Sequence, residues 1–95
     1  MVTVVWDMRV RAEAGPTGRG LIERIWTDMK GFYGYVSHRL LRDKDDPGHF
    51  IVVSQWIDRK SADESREVYA NAEPVQLLRP ILAAPRQRFV LDELA

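Results

Sequence analysis

From Lys30 to Ile57 the chain reads KGFYGYVSHRLLRDKDDPGHFIVVSQWI, and this stretch constrains the fold more than any other. Two runs rich in β-branched and aromatic residues, Phe32–Arg42 and His49–Ile57, flank the polar turn DKDDPG at Asp43–Gly48, which is the pattern of an antiparallel hairpin. Neither face of that hairpin is polar. Phe32, Val36 and Leu40 share one parity with His38, whereas Tyr33, Tyr35 and Leu41 share the other with Arg39. A sheet built on it therefore needs a cover on both sides.

The flanking segments supply the cover for one side. Val2–Arg11 alternates, with Val2, Val4, Trp6, Met8 and Val10 on one face, and reads as a first strand. After the breakers Gly15, Pro16, Gly18 and Gly20, the residues Leu21, Ile22, Ile25, Trp26 and Met29 recur at helical spacing over Thr17–Lys30. Gly31 is expected to end that helix in the left-handed conformation. Beyond the hairpin, Ser61 and Glu64 have capping-box spacing and open a second helix, interrupted near Asn71, and Pro74 starts a fresh turn carrying Val75, Leu78, Ile81 and Leu82. Pro80 keeps that last helix short, and Arg86–Leu94 closes the chain as a strand.

The order strand, helix, strand, strand, helix, strand is the split βαβ, ferredoxin-like α+β arrangement: one domain over residues 1–95, a four-stranded antiparallel sheet with both helices on one face. The opposite face, with Tyr33, Tyr35 and Arg39 assigned to it, is expected to pair with a second copy in a homodimer.

Composition removes several functions. Fourteen Lys plus Arg balance fourteen Asp plus Glu, and the basic residues are scattered, which leaves no electrostatic basis for nucleic-acid binding. No cysteine is present to form a disulfide, thiolate nucleophile or cysteine-ligated metal site. Without a signal-like start or a run near the ~20 apolar residues of a membrane span, the expectation is a cytoplasmic protein with no membrane partner. The serines lack a nucleophile-elbow context, and GPTGRG lacks a phosphate-loop lysine.

KGFYGYVSHRLLRD, FIVVSQWIDRKSADESREVYANAE and the terminal apolar helix together resemble the antibiotic biosynthesis monooxygenase family across nearly the whole chain. The marks are Gly31, Phe32 and Gly34 at the opening of strand two, Trp56 at the close of strand three, and the Ser/Glu-capped helix after it. The resemblance implies a dimeric α/β barrel. It also implies a choice among cofactor-independent oxygenases of polycyclic aromatic substrates, haem-degrading enzymes and members of unassigned activity. The haem-degrading branch uses an asparagine where this chain has Met8 and a histidine on the helix after strand three, and no histidine follows His49 here.

The residues then define an expected site. His38 is the candidate proton acceptor, against the plainer reading of a structural hydrogen-bonding histidine. His49 is expected to be exposed, with a hairpin register that sets it opposite Leu41 and His38 opposite Val52, so no metal site is expected from the pair. Trp6, Met8 and Trp56 are candidates for the wall of an aromatic pocket, and Tyr69 and Asn71 for orienting an oxygenated ring. These readings give a monooxygenase that uses O2 on a small aromatic ligand without a cofactor, or a dimeric accessory protein that only binds one. A cavity lined by His38 or Asn71 favours the enzyme; a cavity filled by Trp6, Trp26 and Met8 favours the accessory protein.

Overall fold

The computed structural model describes all residues, Met1–Ala95. Strands β1 (Val2–Arg9), β2 (Tyr35–Arg42), β3 (His49–Trp56) and β4 (Gln87–Leu91) form one antiparallel sheet in the order β2-β3-β1-β4. Helices α1 (Gly15–Met29), α2 (Arg59–Tyr69) and α3 (Glu73–Leu78) pack on one face. The ferredoxin-like α+β arrangement read from the hydrophobic periods is the one that forms.

The core lies between the even-numbered residues of β1 and β3 and the apolar stripe of α1. Val4, Met8, Phe50, Val52 and Trp56 meet Ile22, Ile25, Trp26 and Met29, with Val75 and Leu78 closing the side from α3. Each such side chain contributes about 1.5–3 kcal/mol on full burial. Helix α2 packs differently. Its buried residues are Ser61, Ala62, Ser65 and Tyr69, so three of the four it turns inward are small. A helix that offers alanine and serine to a sheet does not fill the layer between them.

Local details depart from expectation where tertiary contacts decide. Strand β2 begins at Tyr35 rather than Phe32, and Gly34 rather than Gly31 carries the positive φ, at 90°. The Gly34 carbonyl accepts a 2.8 Å hydrogen bond from Ile57 N–H, and a Cβ there would collide with the side chain of Ser61. A bulge between Tyr35 and Ser37 then switches the parity. Tyr35 pairs with Trp56 and faces the helices with His38, Leu40 and Arg42, while Tyr33 lies in the exposed loop before the strand. Of the three residues assigned to the uncovered face, only Arg39, opposite Val53, is there on β2. The helix cap also differs: Asp58 receives the Ser61 N–H at 2.8 Å, so Asp58 is the N-cap and Ser61 lies within the first turn.

The hairpin register is shifted from the simple expectation. His38 lies opposite Ser54, and Val52 opposite Leu40. His49 is not exposed; its side chain keeps 13% of its accessible surface because Nε2 contacts Asp7 at 2.8 Å and Nδ1 contacts Asp43 at 3.0 Å.

The second face of the sheet has no cover within the chain. By register it carries Val5, Ile51, Val53, Leu41, Phe89 and Leu91, with Phe89 and Leu91 left 46% and 45% exposed.

Candidate active site

A cavity of about 620 Å³ opens beneath the small residues of α2, between the sheet and the break that separates α2 from α3. Its floor is the helix-facing side of β1, Val4, Trp6 and Met8, together with Trp56 at the end of β3. Trp26 and Met29 of α1 form one wall and Tyr69 another. Four of the residues expected to hold a ligand, Trp6, Met8, Trp56 and Tyr69, are thus brought together. The aromatic groups wall the space and do not fill it.

Each aromatic is fixed by a specific partner. The Trp56 indole is 2% exposed and donates its Nε1–H to Ser54 Oγ at 3.1 Å, while that hydroxyl donates to the Val4 carbonyl at 2.9 Å. Tyr69 donates its hydroxyl to Asp28 Oδ2 at 2.6 Å and receives the Phe32 ring edge-on, with centroids 6.1 Å apart. Burial first, and then the Asp28 carboxylate, push the Tyr69 phenol far above its ordinary pKa, so it remains a protonated donor. Its ring lines the cavity while its polar tip is committed to α1.

Trp6 is partly buried, and two guanidinium groups lie over its indole. Arg86 lies 4.7 Å and Arg88 5.9 Å from the ring centroid, within cation–π range. The segment before β4 puts them there. The 3-10 turn Arg79–Ile81 is tied to the end of β1 by Arg11 N–H to Ile81 O at 2.9 Å and Ala83 N–H to Arg9 O at 2.8 Å, which leads Pro85 and Arg86 past the cavity before β4 pairs with β1. Arg88 then sits opposite Trp6 and reaches Asp63 of α2 at 2.8 Å. Arg88 in turn holds the Asp63 carboxyl below its usual pKa range. Burial, followed by the charge of Arg79, lowers the pKa of the Arg86 guanidinium. None of these arginines stood out in the sequence, since nothing local marks an Arg-x-Arg pair on a terminal strand as belonging to a tryptophan on the first.

His38 and Asn71 do not line this cavity. His38 faces the helices, as its parity suggested, but on the far side of Trp26, whose ring centroid is 5.4 Å away. There its Nδ1 meets the Tyr35 hydroxyl at 2.5 Å, beside a second and more polar hollow that Lys30, Arg19 and Glu23 also line. Burial, and then the charge of Lys30, lower its pKa. Asn71 is exposed at the α2–α3 break, where its carbonyl accepts from Gln76. No three His, Asp or Glu side chains converge in a geometry that would hold a metal ion, and no helix is long and apolar enough to cross a membrane.

Solved structures share the fold over its whole length. An antibiotic biosynthesis monooxygenase superposes with a TM-score of 0.88 at 20% identity, covering 100% of each chain. SnoaB, a cofactor-independent oxygenase from Streptomyces nogalater, gives 0.81 at 19% identity over 98% of this chain and 94% of its own. Rv0793 from Mycobacterium tuberculosis gives 0.80 at 22% identity over 99% and 95%. At these identities the likeness is one of fold. No curated protein is a significant match. The sequence profile of the antibiotic biosynthesis monooxygenase family matches residues 1–68, from β1 through nearly all of α2, and the chain belongs to that family.

Proposed function

We propose that the protein is a cofactor-independent monooxygenase that oxidises a flat, electron-rich aromatic molecule with O2. The observation that carries this reading is the cavity of about 620 Å³ walled by Trp6, Trp26, Trp56 and Met8, within the roughly 300–1,000 Å³ of small-molecule sites. Family membership and the fold shared with SnoaB, itself a cofactor-independent oxygenase, add support. In this reading an ionised phenol passes one electron to O2 and the radical pair recombines on a ring carbon. The resulting hydroperoxide loses water, so that phenol and O2 become quinone and water. The protein contributes a dry aromatic slot that orients the ring and keeps the radical pair from solvent. We assign the slot to Trp6, Met8, Trp56 and the ring of Tyr69. His38 is given no direct proton transfer, because Trp26 stands between it and the cavity. The working unit is a homodimer joined through the uncovered sheet face.

The second reading, a dimeric protein that binds an aromatic ligand without turning it over, draws on the absence of His38 and Asn71 from the lining. Oxygen consumption decides between them. Purified protein is screened for binding of hydroxylated polycyclic aromatics, and each ligand found is followed with an oxygen electrode in the presence of chelator. The enzyme reading expects one oxygen consumed per quinone formed, no product under anaerobic conditions, and His38→Ala turnover within about tenfold of the parent, against the 10²–10⁴-fold loss that follows removal of a general base. Binding without oxygen uptake for every ligand leaves the accessory role.

A further inference from the structure

Two half-buried titratable groups behind the cavity wall take no part in the chemistry assigned to it. The Tyr35 phenol and the His38 Nδ1 meet at 2.5 Å, with the two rings edge to face. Burial raises the pKa of Tyr35, and burial followed by the charge of Lys30 lowers that of His38. At neutral pH the phenol therefore keeps its proton and hydrogen-bonds it to an uncharged imidazole. One side of this pair touches the cavity wall. The Tyr35 ring stands perpendicular to the indole of Trp56, with centroids 5.8 Å apart, and Trp56 lines the cavity. Trp56 in turn donates its N–H to Ser54 Oγ, a wholly buried hydroxyl that is too weak a base to take the proton. Tyr69 also lines the cavity, but the partner of its phenol is the Asp28 carboxylate, and carboxylates are intrinsically weaker bases than imidazole.

Resting on the reading of the cavity as a site of oxygen radical chemistry, we propose that Trp56, Tyr35 and His38 form a relay that carries a stray oxidising equivalent away from the cavity. A substrate radical that loses its superoxide partner captures a second O2 and becomes a peroxyl radical. This radical takes one electron from the Trp56 indole and, with a proton from water, becomes the hydroperoxide, leaving an indole radical cation. Because Ser54 does not accept the indole proton and the site is closed to water, the cation keeps its oxidising power. Tyr35 then gives Trp56 one electron while its phenolic proton moves to His38 Nδ1. The phenol O–H bond breaks and an imidazole N–H bond forms, so the indole is restored and a neutral tyrosyl radical is left beside an imidazolium. His38 borders the polar hollow behind Trp26, where solvent reaches the pair. There a soluble thiolate supplies the returning electron and leaves as a thiyl radical, and the imidazolium returns the proton to Tyr35.

Laser photoionisation of tryptophan in the purified protein starts the relay without substrate, and transient absorption follows the decay of tryptophanyl radical against the growth of tyrosyl radical. The parent protein should show tyrosyl growth at a rate independent of protein concentration and slower in D2O. Trp56→Phe and Tyr35→Phe should abolish that phase, whereas Tyr33→Phe and Tyr69→Phe should keep it. His38→Gln, which accepts the hydrogen bond but not the proton, should slow it by about 10²-fold or more, as loss of a positioned proton acceptor does. Urea denaturation shows which variants are folded. Tyrosyl growth that survives Tyr35→Phe, or that runs at the same rate in D2O, would overturn the relay, and the D2O comparison does so on the parent protein alone. During turnover of an aromatic substrate, Tyr35→Phe should keep the initial rate but inactivate after fewer turnovers, with oxygen incorporated at Trp56 by mass spectrometry; an unchanged number of turnovers would overturn the protective role. The expected tyrosyl phase with no oxygen uptake on any ligand upholds the Trp56–Tyr35–His38 electron path and removes only the monooxygenase reading.

Discussion

Ser54 shows how much one small polar residue can hold in place. It is wholly buried opposite His38 and Val4, and its hydroxyl spends both capacities on neighbours, donating to the Val4 carbonyl and accepting from the Trp56 indole. Replacing it by alanine strands the indole N–H in a site that water cannot reach. Ser54→Ala should therefore lower stability by about 1–3 kcal/mol in urea denaturation, the cost of an unsatisfied buried donor. It should also loosen the cavity floor, read as a changed Trp56 fluorescence in the folded protein. A variant as stable as the parent would mean that the indole finds another acceptor. In the sequence Ser54 is one polar residue in an apolar run, and nothing there distinguishes it from an outward-facing serine.

At the scale of elements, His49 ties the β2–β3 turn to β1 through Asp43 and Asp7. Hydrogen bonding from Asp43, ahead of that from Asp7, raises the His49 pKa above 6.5, and the same bond lowers that of Asp43 below 3.8. The signs then define a window. A histidine with a raised folded pKa contributes stability that is fully present below its unfolded value of 6.5 and disappears as pH rises through the folded value. A carboxylate with a lowered folded pKa contributes above 3.8 and loses that contribution as pH falls through its folded value. The stability difference between the parent and His49→Gln should thus be greatest between 3.8 and 6.5 and should shrink above neutrality, measured by urea denaturation across pH. His38, whose pKa burial lowers, acts in the opposite sense and destabilises the fold as pH falls below 6.5, which is why the difference measurement is needed. A pH-independent difference would mean that His49 acts through packing alone.

For the whole molecule, the question is what lies against the outer face of the sheet. Val5, Val53, Ile51 and Phe89 form a contiguous apolar surface across three of the four strands, β4, β1 and β3. Monomers rarely leave such a surface open, and a two-fold copy would cover it with the same residues. Sedimentation velocity at micromolar concentration should give about twice the 11.0 kDa chain mass, and Val53→Asp should shift the population to monomer. The choice of Val53 matters. Tyr35, which simple alternation puts on this face, is turned inward by the bulge and would report on the core instead. A folded monomer at those concentrations would remove the sheet-face dimer.

The hydrophobic periods and turn signals of the chain by themselves determined the order of strands and helices, the hairpin and the α2–α3 break, because burial and backbone pairing repeat at two and 3.6 residues and leave that record locally. Tertiary structure alone decided the rest. A single bulge, set where Gly34 packs on Ser61, moved Tyr35 from one side of the sheet to the other, and no period in the sequence carries that information. The breadth of Trp26 put His38 outside the cavity although its parity was right. Four arginines, Arg66, Arg79, Arg86 and Arg88, converge on the cavity from α2, the turn after α3, and β4 with the segment leading into it. A site assembled from side chains far apart in the chain exists only once the sheet has closed, since its geometry is set by strand register and helix packing and not by spacing along the sequence.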